Sequence, residues 1–129
     1  MTSKTIAELC TAAYNNSANH GFWDDYDDML PTLVFENGPN SAKEKKYEVD
    51  VKLSKIALMH SELGEMTEGV RKPGPDQHCP AFSQEEIELA DTLIRAFDYA
   101  GRFGLRLEEA VEAKMDYNQS RPYKHGKAA

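Results

Sequence analysis

Two acidic pairs of the same form stand in this chain, Glu62-Leu63-Gly64-Glu65 and Glu88-Leu89-Ala90-Asp91. In helical sequence, residues three apart share a face with Cβ atoms about 5–6 Å apart, so each pair aims two carboxylates the same way. Like charges that close destabilise a helix unless something positive lies between them. One such pair is commonplace on a solvated helix face. Two pairs, joined by the Pro/Gly-rich segment from Lys72 to Pro80, point to Glu62, Glu65, Glu88 and Asp91 converging on a hard cation. Mg²⁺ suits that oxygen set, because it keeps several waters and shares its remaining sites between carboxylates and substrate phosphates. Mn²⁺ accepts the same kind of ligand. A metal so held neutralises phosphate oxygens and sharpens a bound water into a nucleophile.

The bulk composition leaves room for that chemistry. The chain has 129 residues, the size of one domain, and a net charge of −7. Such acidity argues against a nucleic-acid backbone or an anionic membrane as the main partner. An anionic substrate then needs bound metal to invert the local field. Cys10 and Cys79 lie far apart in no CxxC pattern and read as free thiols of a cytoplasmic protein. No apolar run approaches the roughly 18 residues of a membrane span, and the first residues lack a signal-peptide core.

The elements that must position the carboxylates read as four helices in an all-α chain. Ser3 or Thr5 caps a first helix running to about His20. From Gly21 to about Lys46 the sequence, punctuated by Pro31, Gly38, Pro39 and Asn40, reads as an ordered irregular loop rich in aromatics. Phe22, Trp23, Tyr26 and Phe35 in that loop cover one end of the bundle, stack on a base, or do both. A second helix is expected over about Tyr47–Arg71. Val49, Leu53, Ile56, Leu63 and Val70, with His60 and Thr67 in the same row, form its core-facing stripe. Gly64 and Gly69 in that helix imply close approach of another helix or a ligand. Ser83 and Glu86 form a capping box for the third helix, whose core face is Ile87, Ala90, Ile94, Phe97 and Gly101. A fourth helix covers about Leu107–Gln119, with Lys114, Asn118 and Arg121 on one side. The chain thus divides into a first helix and aromatic loop (1–46), a helical core (47–121) and a basic tail (122–129).

Glu62-x-x-Glu65, a spacer, and Glu88-x-x-Asp91, followed by Lys114-x-x-x-Asn118-x-x-Arg121, resemble the motif of the all-α nucleoside triphosphate pyrophosphohydrolases. That superfamily includes MazG, the dimeric dUTPases, the dCTP pyrophosphatases and phosphoribosyl-ATP pyrophosphohydrolase, and the wording here is nearest to the small MazG-like proteins. The resemblance covers about Tyr47 to Lys127. It implies a four-helix bundle assembling as a dimer or a dimer of dimers, with sites near subunit contacts. It also implies that Glu62, Glu65, Glu88 and Asp91 hold Mg²⁺ on a triphosphate. Metal-activated water then attacks the α-phosphorus, releasing nucleoside monophosphate and pyrophosphate. Lys114, Arg121, Arg95 and Lys124 are the expected phosphate contacts, Asn118 an amide donor and Trp23 a base-stacking ring. Arg95 reads equally as an ion-pair partner of Asp91 one turn away. Phosphoribosyl-ATP, dUTP or dCTP as the specific substrate, and a helical nucleotide- or metal-binding module without turnover, are the alternatives.

Overall fold

The computed structural model describes residues 3–126, with the backbone alone described for 125 and 126. These residues form α1 (Ile6–Asn19), α2 (Asp24–Asn37), α3 (Ala42–Arg71), α4 (Gln84–Phe103) and α5 (Leu107–Gln119), then a 3-10 turn over Tyr123–Gly126. The chain is all-helical, and the described residues include no strand. No helix among them is long and apolar enough to cross a membrane. Central to the packing is α4, which lies between α1 and α3; α2 leans on α3, and α5 on α1.

The helix starts follow local chemistry. Thr5 caps α1 and Ser83 caps α4, each in a reciprocal capping box with the glutamate three residues on, Glu8 and Glu86. Ser41 caps α3 by accepting from the Glu44 N–H, so that helix begins five residues before the expected Tyr47. The segment expected to be an irregular loop over 21–46 contains α2. Asp24, Asp25 and Asp27 occupy its first turn, where the helix dipole favours negative charge. Pro31 sits inside α2 and removes one backbone donor. The helix persists because Tyr26, Leu30 and Leu33, at helical spacing, turn toward the protein. Gly38, at φ 80°, ends it.

A larger difference concerns α3. The expected core stripe faces outward: Val49, Leu53, Ile56, Leu63 and Val70 are all exposed, and His60 and Thr67 with them. The face turned to α4 is Lys55, Leu58, Glu62, Glu65 and Gly69. The two helices run antiparallel. A side chain at Gly69 would meet the Glu85 backbone N–H group and Gln84 at one end, while Lys52 lies over the Phe103 ring at the other. Gly64 has open space around it within the chain. On α4, Ala100 is buried and Ile87, Ala90, Phe97 and Gly101 are half-buried as expected, but Ile94 is exposed. Gly101 is required where α1 crosses α4, since a Cβ there would lie 2.6 Å from the Cys10 carbonyl oxygen.

The buried centre is aromatic. Trp23, 1% exposed, has Tyr14, Tyr26 and Phe103 around it at centroid distances of 6.4, 6.3 and 5.6 Å. Its indole N–H donates to Asp98 Oδ1 at 2.9 Å, tying the start of α2 to α4. Arg102 spreads over the Tyr26 ring at 4.8 Å and pairs with Asp27 at 2.8 Å. Trp23→Ala is expected to destabilise folding by about 3–5 kcal/mol, the usual scale for emptying a core tryptophan site, as denaturant unfolding measures. A loss below about 1 kcal/mol would show that the ring is dispensable for the core.

Candidate metal and substrate site

The α3–α4 seam is a ladder of side chains at helical spacing, all but Leu58 charged. From α3 come Lys55, Leu58, Glu62 and Glu65; from α4 come Glu88, Asp91, Arg95 and Asp98. A structured loop fixes the register. Asp76, buried in it, accepts from the His78 and Cys79 N–H groups at 2.9 and 2.8 Å, and the Gln84 N–H donates to the Gly74 carbonyl at 2.9 Å. The loop therefore holds the two acidic pairs opposite each other.

Glu62, Glu65 and Glu88 each offer a carboxylate oxygen, and these atoms lie within 4.8 Å of one another. Asp91 stands outside that tight group and faces the adjoining cavity beside Glu62. Glu62 is buried and its Oε1 accepts from Arg95 Nε at 2.8 Å. The ion pair of Arg95 is thus with Glu62 across the helices, rather than with Asp91 along α4. Glu88 is 9% exposed, and its Oε2 is buried with no hydrogen-bond partner. A buried, unpartnered carboxylate oxygen is costly unless it keeps its proton or meets a cation. The donors, all hard oxygens, fit Mg²⁺.

The electrostatics carry the same strain. Burial, together with the Glu62 and Glu65 carboxylates, pushes the Glu88 carboxyl up to about 8. Burial opposes ionisation of Glu62, but hydrogen bonds from Arg95 and Glu88 and the Arg95 charge outweigh it and hold its pKa low. Burial also raises Asp91, with Glu62 adding to the effect and Arg95 opposing it. A proton retained by these facing carboxylates belongs to them as a group, with Glu88 the member pushed up.

A cavity of about 400 Å³ adjoins the cluster. Glu62, Asp91 and Arg95 line one end, and Phe22, Trp23 and Tyr99 contribute rings to its wall. Between them stand Lys55, Asp98 and, from the last turns of α1, Asn16 and Ser17. Comparison with protein-family models, curated proteins and solved structures returns no match in any of the three.

The ten residues singled out in the sequence separate into two groups. Glu62, Glu65, Glu88, Asp91 and Arg95 meet at the seam, and Trp23 joins the cavity wall. The Trp23 ring is packed on by Lys55 at 4.4 Å and edge-on by Phe103, which leaves Phe22, 69% exposed, as the ring with an open face. Lys114, Asn118, Arg121 and Lys124 do not line the cavity of their own chain. Lys114 and Arg121 gather on the Tyr117 ring at 4.6 and 5.6 Å, and Lys124 lies in the 3-10 turn beyond α5. The physical reason is that α5 docks on α1, at the far end from the carboxylates. Lys55 and Asp98 escaped the sequence reading, although each stands seven residues, two helical turns, from an acid already chosen, Glu62 and Asp91.

Folding raises the Glu88 pKa, so its favourable contribution is intact below the ordinary value near 4.5 and is lost as pH rises to about 8. The melting temperature of the metal-free protein is expected to fall across that window. The fall is smaller in Glu88→Gln, and millimolar Mg²⁺ opposes it most at the alkaline end, as melts with and without chelator measure. Equal slopes for the variant and the parent would assign the titration to another group.

Proposed function

We propose that this chain is a Mg²⁺-dependent nucleoside triphosphate pyrophosphohydrolase of the MazG-like type, converting (d)NTP to (d)NMP and pyrophosphate. The observation that carries this reading is the unpartnered Glu88 oxygen within three converging carboxylates, beside a cavity whose wall holds Arg95, Lys55 and the rings of Phe22, Trp23 and Tyr99 along with Glu62, Asp91 and Asp98. Glu62, Glu65 and Glu88 are the residues to hold the metal, with Asp91 beside them as a further oxygen donor. When bound, Mg²⁺ supplies charge neutralisation on the triphosphate and lowers the pKa of a water.

The chain's own groups supply the remainder. Arg95 is fixed by Glu62 through Nε, so its remaining N–H groups face phosphate oxygens in a set orientation. Asp91, whose pKa burial raises, accepts the proton released as water oxygen bonds to the α-phosphorus. The bond from that phosphorus to the bridging oxygen breaks, and pyrophosphate leaves. Phe22 and Tyr99 screen the nucleoside end from water.

A homo-oligomer belongs to the same proposal. The outward stripe of Val49, Leu53, Ile56, Leu63 and Val70 runs the length of α3, and a second copy covers it in a homodimer or homotetramer. Lys114, Asn118, Arg121 and Lys124 then serve a site only across a subunit contact. The helical scaffold of such an assembly, a bundle completed between chains, explains why one chain leaves so much apolar surface open.

Pyrophosphate release from common NTPs and dNTPs is expected with millimolar Mg²⁺ and absent in chelator. Glu65→Gln and Asp91→Asn are each expected to lower turnover by about 100-fold or more while the far-ultraviolet circular dichroism stays unchanged; near-parental rates in either would refute the site. Leu53→Glu is expected to shift the species seen in analytical ultracentrifugation toward the single chain. An unchanged mass would move the subunit contact off this stripe.

A further inference from the structure

Against the aromatic wall of the cavity stands a cation with no acidic side chain in ion-pair contact among the described residues. Among the described residues Lys55 makes no salt bridge; its Nζ donates to the Phe22 carbonyl at 3.1 Å and lies 4.4 Å from the Trp23 ring centroid. Those two contacts hold the ammonium in one place and leave further N–H donors toward the cavity it lines. Burial lowers its pKa, with the nearby Asp98 charge opposing, so the group is partly dehydrated. Asp98 has Oδ1 engaged by the Trp23 indole, and its second oxygen has no partner among the described residues. The Asn16 side-chain amide, on the same cavity, is likewise unengaged.

Lys55 lies seven residues before Glu62, about 10 Å along α3. With the triphosphate at the carboxylates, that separation is spanned by the sugar, and Lys55 meets the base. An ammonium is a donor only and an ionised carboxylate an acceptor only. Side by side they complement a ring carbonyl next to a ring N–H. An amino-substituted ring presents the reverse order, and the glycosidic bond prevents the base from turning over to correct it. A donor facing an amino group leaves both unpaired, which costs more than the hydrogen bond itself contributes.

Resting on the function proposed above, we infer that Lys55, fixed by Phe22 and Trp23, selects the base. It donates to a ring carbonyl, so the site prefers lactam bases (guanine, hypoxanthine, uracil, thymine) over adenine and cytosine. Asp98 and Asn16 complete the reading of that edge, and Phe22 stacks on it.

The test is kcat/KM for dGTP, dITP, dUTP and dTTP against dATP and dCTP, in the full chain with Mg²⁺, for the parent and for Lys55→Met and Lys55→Arg. The parent is expected to favour the lactam group by about tenfold or more, the size of one charged hydrogen bond. Lys55→Met is expected to erase that preference chiefly through KM, and Lys55→Arg to restore part of it. A Lys55→Met loss shared equally by all six nucleotides overturns the inference, as does a parent that prefers dATP or dCTP. Failure of the hydrolase reading looks different: no nucleotide releases pyrophosphate. Calorimetric binding of the same six then decides, and an unranked set overturns the base assignment.

Discussion

The rest of the structure is arranged around carboxylates forced together. Glu62 and Glu88 face each other from antiparallel helices, with Glu65 within reach and Arg95 holding one oxygen of Glu62. A single guanidinium does not satisfy this set: Glu88 keeps an unpartnered buried oxygen and a carboxyl pushed up to about 8. Nothing in a folding argument calls for such a cluster, because paired or apolar groups at the same positions give a more stable seam. Strain of this kind, placed beside a cavity, marks the seam as a candidate functional site.

That seam also explains how α3 is oriented. A helix with one apolar stripe and one charged stripe normally turns the apolar one inward. Here the charged row of Lys55, Glu62 and Glu65 faces α4, and the row from Val49 to Val70 faces out. The inversion makes physical sense if the charged row encloses chemistry and the apolar row is covered by another copy. The single chain accordingly buries few large apolar side chains, and its core is concentrated at Trp23 and its neighbours.

The aromatic centre and the site are one construction. Trp23 receives Lys55 on its face and bonds Asp98 through its N–H, so the side chain that organises the packing of α1, α2 and α4 also fixes two polar groups of the cavity. Core packing and the shape of the cavity are not separable at this residue. The α3–α4 loop, tightened by Asp76, acts similarly from the other end by setting the register in which the acids meet.

The sequence by itself determined the all-helical character, the caps at Thr5 and Ser83 and the acids that meet across the seam, because capping and three-residue spacing are local properties. It also contained α2, in the spacing of Tyr26, Leu30 and Leu33, but Pro31 and the glycines around it outweighed that signal. Which face of α3 turns inward was decided by tertiary structure alone. Periodicity reports that an apolar stripe exists, and only packing shows whether its partner is the same chain. The distribution of cations followed the same rule. Lys114, Asn118 and Arg121 share a helix face, but the docking of α5 on α1 carries them away from the carboxylates, while Arg95 reaches Glu62 and Lys55 lines the adjoining cavity because α3 and α4 pack antiparallel in one register.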